Sequence, residues 1–211
     1  MKTNIKIAVV GLVAIIIAVS VVAGILGDTA RVVIDPGHGG DDVGAEFNGR
    51  YEKDDNLALA LLVKEKLDDM GIDAVLTRKT DKFITLEKRC SIANKKKAEL
   101  FVSLHRNSAE GAKGVEIWIK DDSPEADRAL ADSILEKLDE AGISENRGVK
   151  AGYARSDGKN YYVNSHTDMP SCLVELGFIN SETDNKLFDE KLDEYAQAIA
   201  DGIAETLKRE V

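Results

Sequence analysis

The chain has 211 residues, 44% of them hydrophobic and 31% charged, with a formal net charge of −10. This composition belongs to a globular rather than a disordered chain, and the acidic excess argues against nucleic acid as a partner. The length fits one domain with a terminal appendage, large enough to bury a core without disulfide staples.

The appendage comes first. Ile7 to Leu26 is a charge-free run of twenty residues preceded by Lys2 and Lys6. About twenty apolar residues span a bilayer as a helix, and positive charge before such a run holds the N-terminus in the cytoplasm and sends the rest out. The run is apolar on all sides, whereas a helix on a soluble domain carries one apolar face. Residues 1–27 are therefore expected to form a hydrophobic helix that acts as a signal peptide or a retained membrane anchor. Val21 with Ala23, or Ile25 with Gly27, offers a cleavage site; the full twenty-residue length favours the anchor. Beyond Gly27 stand 26 basic and 38 acidic residues, a formal −12 that favours solubility.

The folded body is expected over residues 31–211. Arg31 to Asp35 reads as a short buried strand. A helix is predicted from about Asp54 to Met70, with Leu59, Val63, Leu67 and Met70 on one stripe and Gly71 as its stop. Ile72 to Thr77 is a second strand. Residues 85–97 form a helix with Leu86, Cys90 and Ala93 inward. Leu100 to Leu104 and Val115 to Ile119 are further strands. Ser123 and Pro124 read as a cap and first-turn proline for a helix whose stripe is Leu130, Ile134, Leu138 and Ala141. The Gly-, Asn- and Ser-rich stretch from Gly142 to Ser171 reads as loops around one strand. Cys172 to Glu175 is a buried strand, and Lys191 to Lys208 a final helix with Leu192, Ala196, Ile199 and Ile203 inward. Strands alternating with amphipathic helices predict a single three-layer α/β domain, with a largely parallel central sheet and helices on both faces. No repeat or linker announces a second module. Cys90 and Cys172 are read as small core residues rather than a disulfide.

The chain holds three histidines. His38 follows the first strand in a glycine-rich turn, and His105 ends the third. Glu175 ends a later buried strand, where a carboxylate is costly unless paired or ligated. Residues at the carboxyl ends of strands in an open α/β sheet converge on one crevice. Two histidines and a carboxylate form a catalytic zinc set with a position open for water. Glu52, at the start of the helix after the His38 loop, is the first candidate for the third ligand, and Glu175 fits the proton-transferring carboxylate that such chemistry needs. Gly177, two residues on, either leaves room for a ligand or closes the strand as a turn glycine. Each piece alone also has a bland reading: a structural histidine, or an acid favoured at a helix N-terminus.

The pieces occur in a recognisable order: Ile34 to Gly40, Glu52 to Asp54 with Asn56 and Leu57, Leu76 to Arg78 with Asp81, Leu86, Arg89, Ala93 and Asn94, Phe101 to His105 with Asn107, and Leu173 to Asn180. In order and spacing they resemble the zinc-dependent N-acetylmuramoyl-L-alanine amidases of the amidase 3 type, over nearly everything from Val32 onward. The resemblance implies that His38, Glu52 and His105 bind Zn2+ and that Glu175 is the catalytic glutamate. It further implies peptidoglycan as the partner, cut at the amide between the muramic acid lactyl group and the first alanine of the stem peptide. The alternatives are another cell-wall peptide amide as substrate, or a catalytically idle, membrane-tethered wall-binding protein; the latter is expected to have lost a ligand or the glutamate, and all four residues are present.

Two positions depart from the resemblance. Arg106 follows the second histidine where a small or apolar residue is usual, and Glu99 stands where Asp is common. Arg106 is read either as a positive charge at the cleft rim or as a solvated surface residue. His166 is expected to be an exposed loop histidine, and Arg78, Arg89 and Asn94 to be structural and away from the cleft; Tyr161 and Tyr162 are read either as lining a sugar or peptide groove or, as is more usual for aromatic pairs in strands, as packing.

Overall fold

The computed structural model describes residues 30–153 and 160–209. The expected N-terminal helix over 1–27 lies outside these residues. Among the described residues, no helix is long and apolar enough to cross a membrane.

The elements, in chain order, are β1 (Val32–Pro36), β2 (Glu46–Phe47), β3 (Arg50–Tyr51), α1 (Glu52–Asp69), β4 (Ala74–Leu76), α2 (Leu86–Lys96), β5 (Leu100–Asn107), β6 (Val115–Ile119), α3 (Glu125–Ala141), β7 (Asn146–Ala151), the single turn α4 (Tyr162–Ser165), β8 (Ser171–Phe178) and α5 (Glu182–Arg209). Six strands form one sheet in the order β4-β1-β5-β8-β6-β7, and β2 and β3 form a small hairpin. β4, β1, β5 and β8 run parallel, β6 is antiparallel to β8, and β7 is parallel to β6. The sheet is thus largely parallel, as the buried apolar runs of β1, β5 and β8 require of strands covered on both faces.

Strand alternation divides the core in two. Val32, Ile34, Val102, Leu104, Cys172 and Val174 pack against α1, α3 and α5. Val33, Phe101 and Leu173 face the other way, onto Cys90 and Ala93 of α2 and Val163 of α4. Both cysteines are buried and free, in keeping with their reading as core residues.

Several boundaries differ from expectation. α1 starts at Glu52, two residues early, which places that carboxylate on the helix rather than before it. Met70 caps α1 and is 37% exposed, and Leu86 opens α2 at 49% exposed, so neither belongs to the core stripe. Pro124 is the N-cap of α3 without a side-chain cap, and the Ser123 hydroxyl accepts from Arg128 instead. α5 runs from Glu182, and Lys191, which has non-helical backbone angles, marks a kink where two helices join, so the helix expected from Lys191 is its second part. Tyr161 and Tyr162 lie at the start of α4, not in a strand.

Candidate metal and active site

Because β1, β5 and β8 are parallel, their carboxyl ends share one edge of the sheet. The chain leaves β1 into the turn carrying His38. His105 lies near the end of β5, in register with Glu175 on β8. The β2–β3 hairpin turns the chain back so that Glu52, the first residue of α1, enters from the side. One ligand atom from each of His38, Glu52 and His105 lies within 4.8 Å of the others.

The Glu52 carboxylate is the hub. Its Oε1 is 2.8 Å from His105 Nδ1 and its Oε2 is 3.3 Å from His38 Nε2. Backbone N–H groups of Ala45 and Arg106 donate to it at 2.9 and 3.1 Å. Burial pushes the Glu52 carboxyl up, but the hydrogen bonds and charges of His105 and His38 outweigh it and hold the group well below the usual carboxylate range. His38 shows the converse: burial pulls its pKa down, and Glu52 and Asp42 raise it above the ordinary value. Asp42 Oδ1 is 2.8 Å from His38 Nδ1, so Nε2 is the nitrogen left facing Glu52. A carboxylate on the far nitrogen of a metal-binding histidine is a recurring orienting device.

Two glycines make the crowding possible. A Cβ built on Gly37 would lie 2.2 Å from His105 Cε1 and 2.3 Å from Nε2. One built on Gly44, at φ +68°, would lie 2.6 Å from Glu52 Oε2 and 2.7 Å from His38 Cδ2. Any side chain at either position would occupy the space of the donor groups.

Glu175 is 7% exposed, and its Oε2 is buried without a hydrogen-bond partner. Burial, then the charges of Glu52 and Glu116, push its pKa well up, and the Arg106 charge opposes them. An orphaned buried carboxylate oxygen costs stability; beside a cluster able to hold a cation it is the natural place for a group that exchanges protons.

A cavity of about 500 Å³ opens onto His38 and His105. Phe83 and Leu86, both about half exposed, line it together with Tyr153, Tyr161 and Tyr162. The tyrosine pair therefore lines the cleft.

The arginines correct the sequence reading in two ways. Arg78 and Arg89 are structural as expected, but Arg89 also lines the cleft. Arg78 donates to the carbonyls of Pro36 and Gly37, and Arg89 to those of Pro36 and His38 and to the Asp35 carboxylate. Together they fix the backbone of the His38 turn. Arg106 is neither at the cleft rim nor solvated: it is 2% exposed and paired with Asp55. β5 alternation points it away from His105, into the core between α1 and α5. Gly177 is the penultimate residue of β8, at φ +78°, and the space behind it is taken by Asp184, which leaves no room for a ligand there. Glu99 pairs with Arg31 away from the site, and Asn94 ties α2 to the loop at His166 and Asp168. His166 is exposed and stacked on Tyr162, outside the cluster.

Asp42, Asp55 and Glu116 escaped the sequence reading. Glu116, on β6, is paired in register with Glu175 of β8. Burial raises its pKa, but hydrogen bonds from Arg147, Lys150 and Trp118 prevail and hold it below the ordinary value. β6 is buried along its whole length, and the sequence signal is an acid inside that apolar strand.

The chain is similar to known proteins in sequence and in fold. The chain is 42% identical over 175 residues to the uncharacterized protein YqiI of Bacillus subtilis, covering 82% of this chain and 80% of that one. It is 34% identical over 180 residues to the probable cell wall amidase LytH of Staphylococcus aureus, covering 82% of this chain but only 56% of LytH. Among solved structures, the N-acetylmuramoyl-L-alanine amidase AmiC2 of Nostoc punctiforme superposes with a TM-score of 0.75 at 36% identity, covering 84% of this chain and 97% of that one. The profile of the amidase 3 family, described as N-acetylmuramoyl-L-alanine amidase, matches residues 32–207, a span that contains the whole cluster, and the chain belongs to that family.

Proposed function

We propose that this chain is a zinc-dependent, extracytoplasmic amidase that hydrolyses the bond between N-acetylmuramic acid and the L-alanine of the stem peptide in bacterial peptidoglycan. One observation carries the reading. Two imidazoles and a buried carboxylate, donor atoms within 4.8 Å, share a strand edge with a second buried carboxylate that has an unpaired oxygen. Family membership supplies the substrate.

The residues fit a zinc ion. Two histidines and one glutamate are a common catalytic donor set that leaves a position open, and Gly37 and Gly44 keep the donors' space free of side chains. His38, Glu52 and His105 would hold the ion, with Asp42 orienting His38. Bound there, zinc supplies Lewis acidity and lowers the pKa of a water towards about 7. Glu175 accepts the proton of the attacking water at its unpaired Oε2. It then delivers that proton to the departing alanine nitrogen, because an amide anion is a very poor leaving group. Burial and the neighbouring carboxylates favour its protonated form, the form that donates to the leaving nitrogen, and a cation bound beside it would favour the ionised form that accepts. The aromatic cavity beside the histidines receives the substrate.

We assign residues 1–27 as the signal peptide or anchor and residues 31–211 as the catalytic domain. The likeness to a cell wall amidase supports action outside the cytoplasm. A protease added to wall-stripped intact cells should therefore digest the domain, and protection until lysis would contradict the orientation. For the activity itself, purified peptidoglycan is digested with and without a chelator. Stem peptides with new N-terminal alanine, lost on chelation and restored by zinc, are the expected result. Cuts only within the stem peptide, or digestion indifferent to the chelator, would overturn the reading.

A further inference from the structure

We infer that Arg106 is a positioning residue of the metal site, whose side chain locks together the three segments that carry His105, Glu52 and Glu175. The inference rests on the metal site proposed above.

Arg106 touches the site from two sides. Its backbone N–H donates to Glu52 Oε1 at 3.1 Å. Its guanidinium, on the opposite face of β5, makes three further contacts. Nη1 is 2.5 Å from Asp55 Oδ2, one helical turn beyond Glu52 on α1. Nη2 donates to Asn185 Oδ1 at 2.8 Å, and Nε to the Gly177 carbonyl at 3.5 Å. Gly177 is two residues past Glu175, and Asn185 lies in the first turns of α5. One planar fork therefore ties β5 to the start of α1 and to the β8–α5 turn.

The surroundings are built for that fork. Phe188 presents its ring 4.5 Å from the Arg106 guanidinium and 5.1 Å from that of Arg50. Arg50 Nε donates to the same Asp55 oxygen at 2.7 Å, and its other nitrogens fork onto Asp189. Two arginines and two aspartates thus balance in charge around one aromatic ring. A small residue at 106 would leave Asp55 held only by Arg50 and would remove the side-chain tie between β5 and Asn185 of α5, leaving the backbone bond from Ile179 to Asn107 to hold the turn. Burying so large a cation is expensive. Here the cost is met by a full set of partners, and those partners sit one turn or two residues from Glu52 and Glu175. Lysine cannot replace it, since an ammonium lacks the planar fork that reaches three acceptors in fixed directions.

The test separates positioning from plain stabilisation. Arg106→Met is purified beside the wild type. Zinc affinity is measured by chelator competition, kcat and KM on soluble peptidoglycan fragments, and Tm on the metal-free proteins. Loss of an orienting partner weakens metal binding by about 10- to 100-fold. Because Arg106 acts through Asp55 and Gly177, the lower end is expected, about 10-fold, with kcat reduced and KM little changed. Arg106→Lys should recover only part of either loss. A drop in Tm with wild-type zinc affinity and kcat would reduce Arg106 to a structural staple and overturn the inference. If Arg106→Met does not fold, Arg106→Lys and Asn185→Ala carry the same test, since Asn185→Ala removes one acceptor and leaves the Asp55 pair. Wild-type zinc affinity and kcat in both would equally overturn it. A wild-type protein that binds no zinc would refute the metal site itself, and this inference with it.

Discussion

The Gly37→Ala substitution tests whether the crowding around His105 serves the site. A Cβ at position 37 would lie 2.2, 2.3 and 2.7 Å from three atoms of the His105 ring. Ordinary carbon contacts begin near about 3.5 Å, so the ring must withdraw by roughly 1.3 Å. It has no easy path: β5 is paired on both sides, by β1 and β8, and cannot shift as a unit. The side chain must instead leave its rotamer, at a cost of about 1 kcal/mol, and it separates from Glu52 as it does so. A displacement of about 1 Å at a catalytic centre lowers rate by about 10²-fold, and zinc affinity should fall at least about 10-fold. Chelator competition gives the affinity, initial rates give turnover, and thermal melts of the metal-free proteins show whether folding survived. Gly71→Ala is the control. Gly71 has φ +73° with nothing near its absent Cβ, so the variant costs about 1 kcal/mol of backbone strain and leaves zinc affinity alone. Gly37→Ala with wild-type zinc affinity and turnover would refute the packing argument.

Three further predictions follow from named contacts. Glu175→Gln keeps the shape and removes the base, so turnover should fall about 10²- to 10⁴-fold with zinc retained; near-normal turnover refutes the proton-transfer role, and zinc loss in this variant but not in Glu52→Gln means that the two glutamates are interchanged. Asp42→Ala removes the partner of His38 Nδ1 and should weaken zinc binding about 10- to 100-fold, an effect read by chelator titration and contradicted by an unchanged affinity. Glu116→Gln should cost about 1–2 kcal/mol at pH 7, because Arg147 and Lys150 lose a charged acceptor. The Glu116 carboxyl lies below its ordinary value in the folded state. Its stabilisation is therefore complete above the unfolded pKa of about 4.3 and is lost as pH falls through the folded value. The Tm gap between wild type and variant should be widest near neutrality and close in acid; a gap that persists in acid would show that packing, not charge, is lost.

The sheet was legible because its central strands are buried on both faces and so read as apolar runs ending in polar residues. His38, His105 and Glu175 stand out for that reason: each follows an apolar run at the same end of a parallel strand. Glu52 was legible only as a candidate, since its burial depends on the β2–β3 hairpin returning it to the edge. Arg106 misled through its position beside His105. Alternation along β5 sets it on the face of Val102 and Leu104, but a charge on that face makes sense only once Asp55, Asn185 and Phe188 are seen to converge there. Asp42 was hidden because its contact with His38 is made by a glycine turn, whose path has no periodicity to read. The helix from Lys191 was legible by its apolar stripe, and the part of α5 before that kink was missed because its residues are mostly polar.

The most direct test of the central claim uses a defined muramyl-peptide with metal-free enzyme, before and after one equivalent of zinc, with products identified by mass spectrometry. The account predicts free N-acetylmuramic acid and an intact peptide beginning with L-alanine, formed only after zinc is restored and not by the His38→Ala protein. The same products at the same rate from metal-free enzyme, or cleavage at any other bond of the substrate, would contradict it.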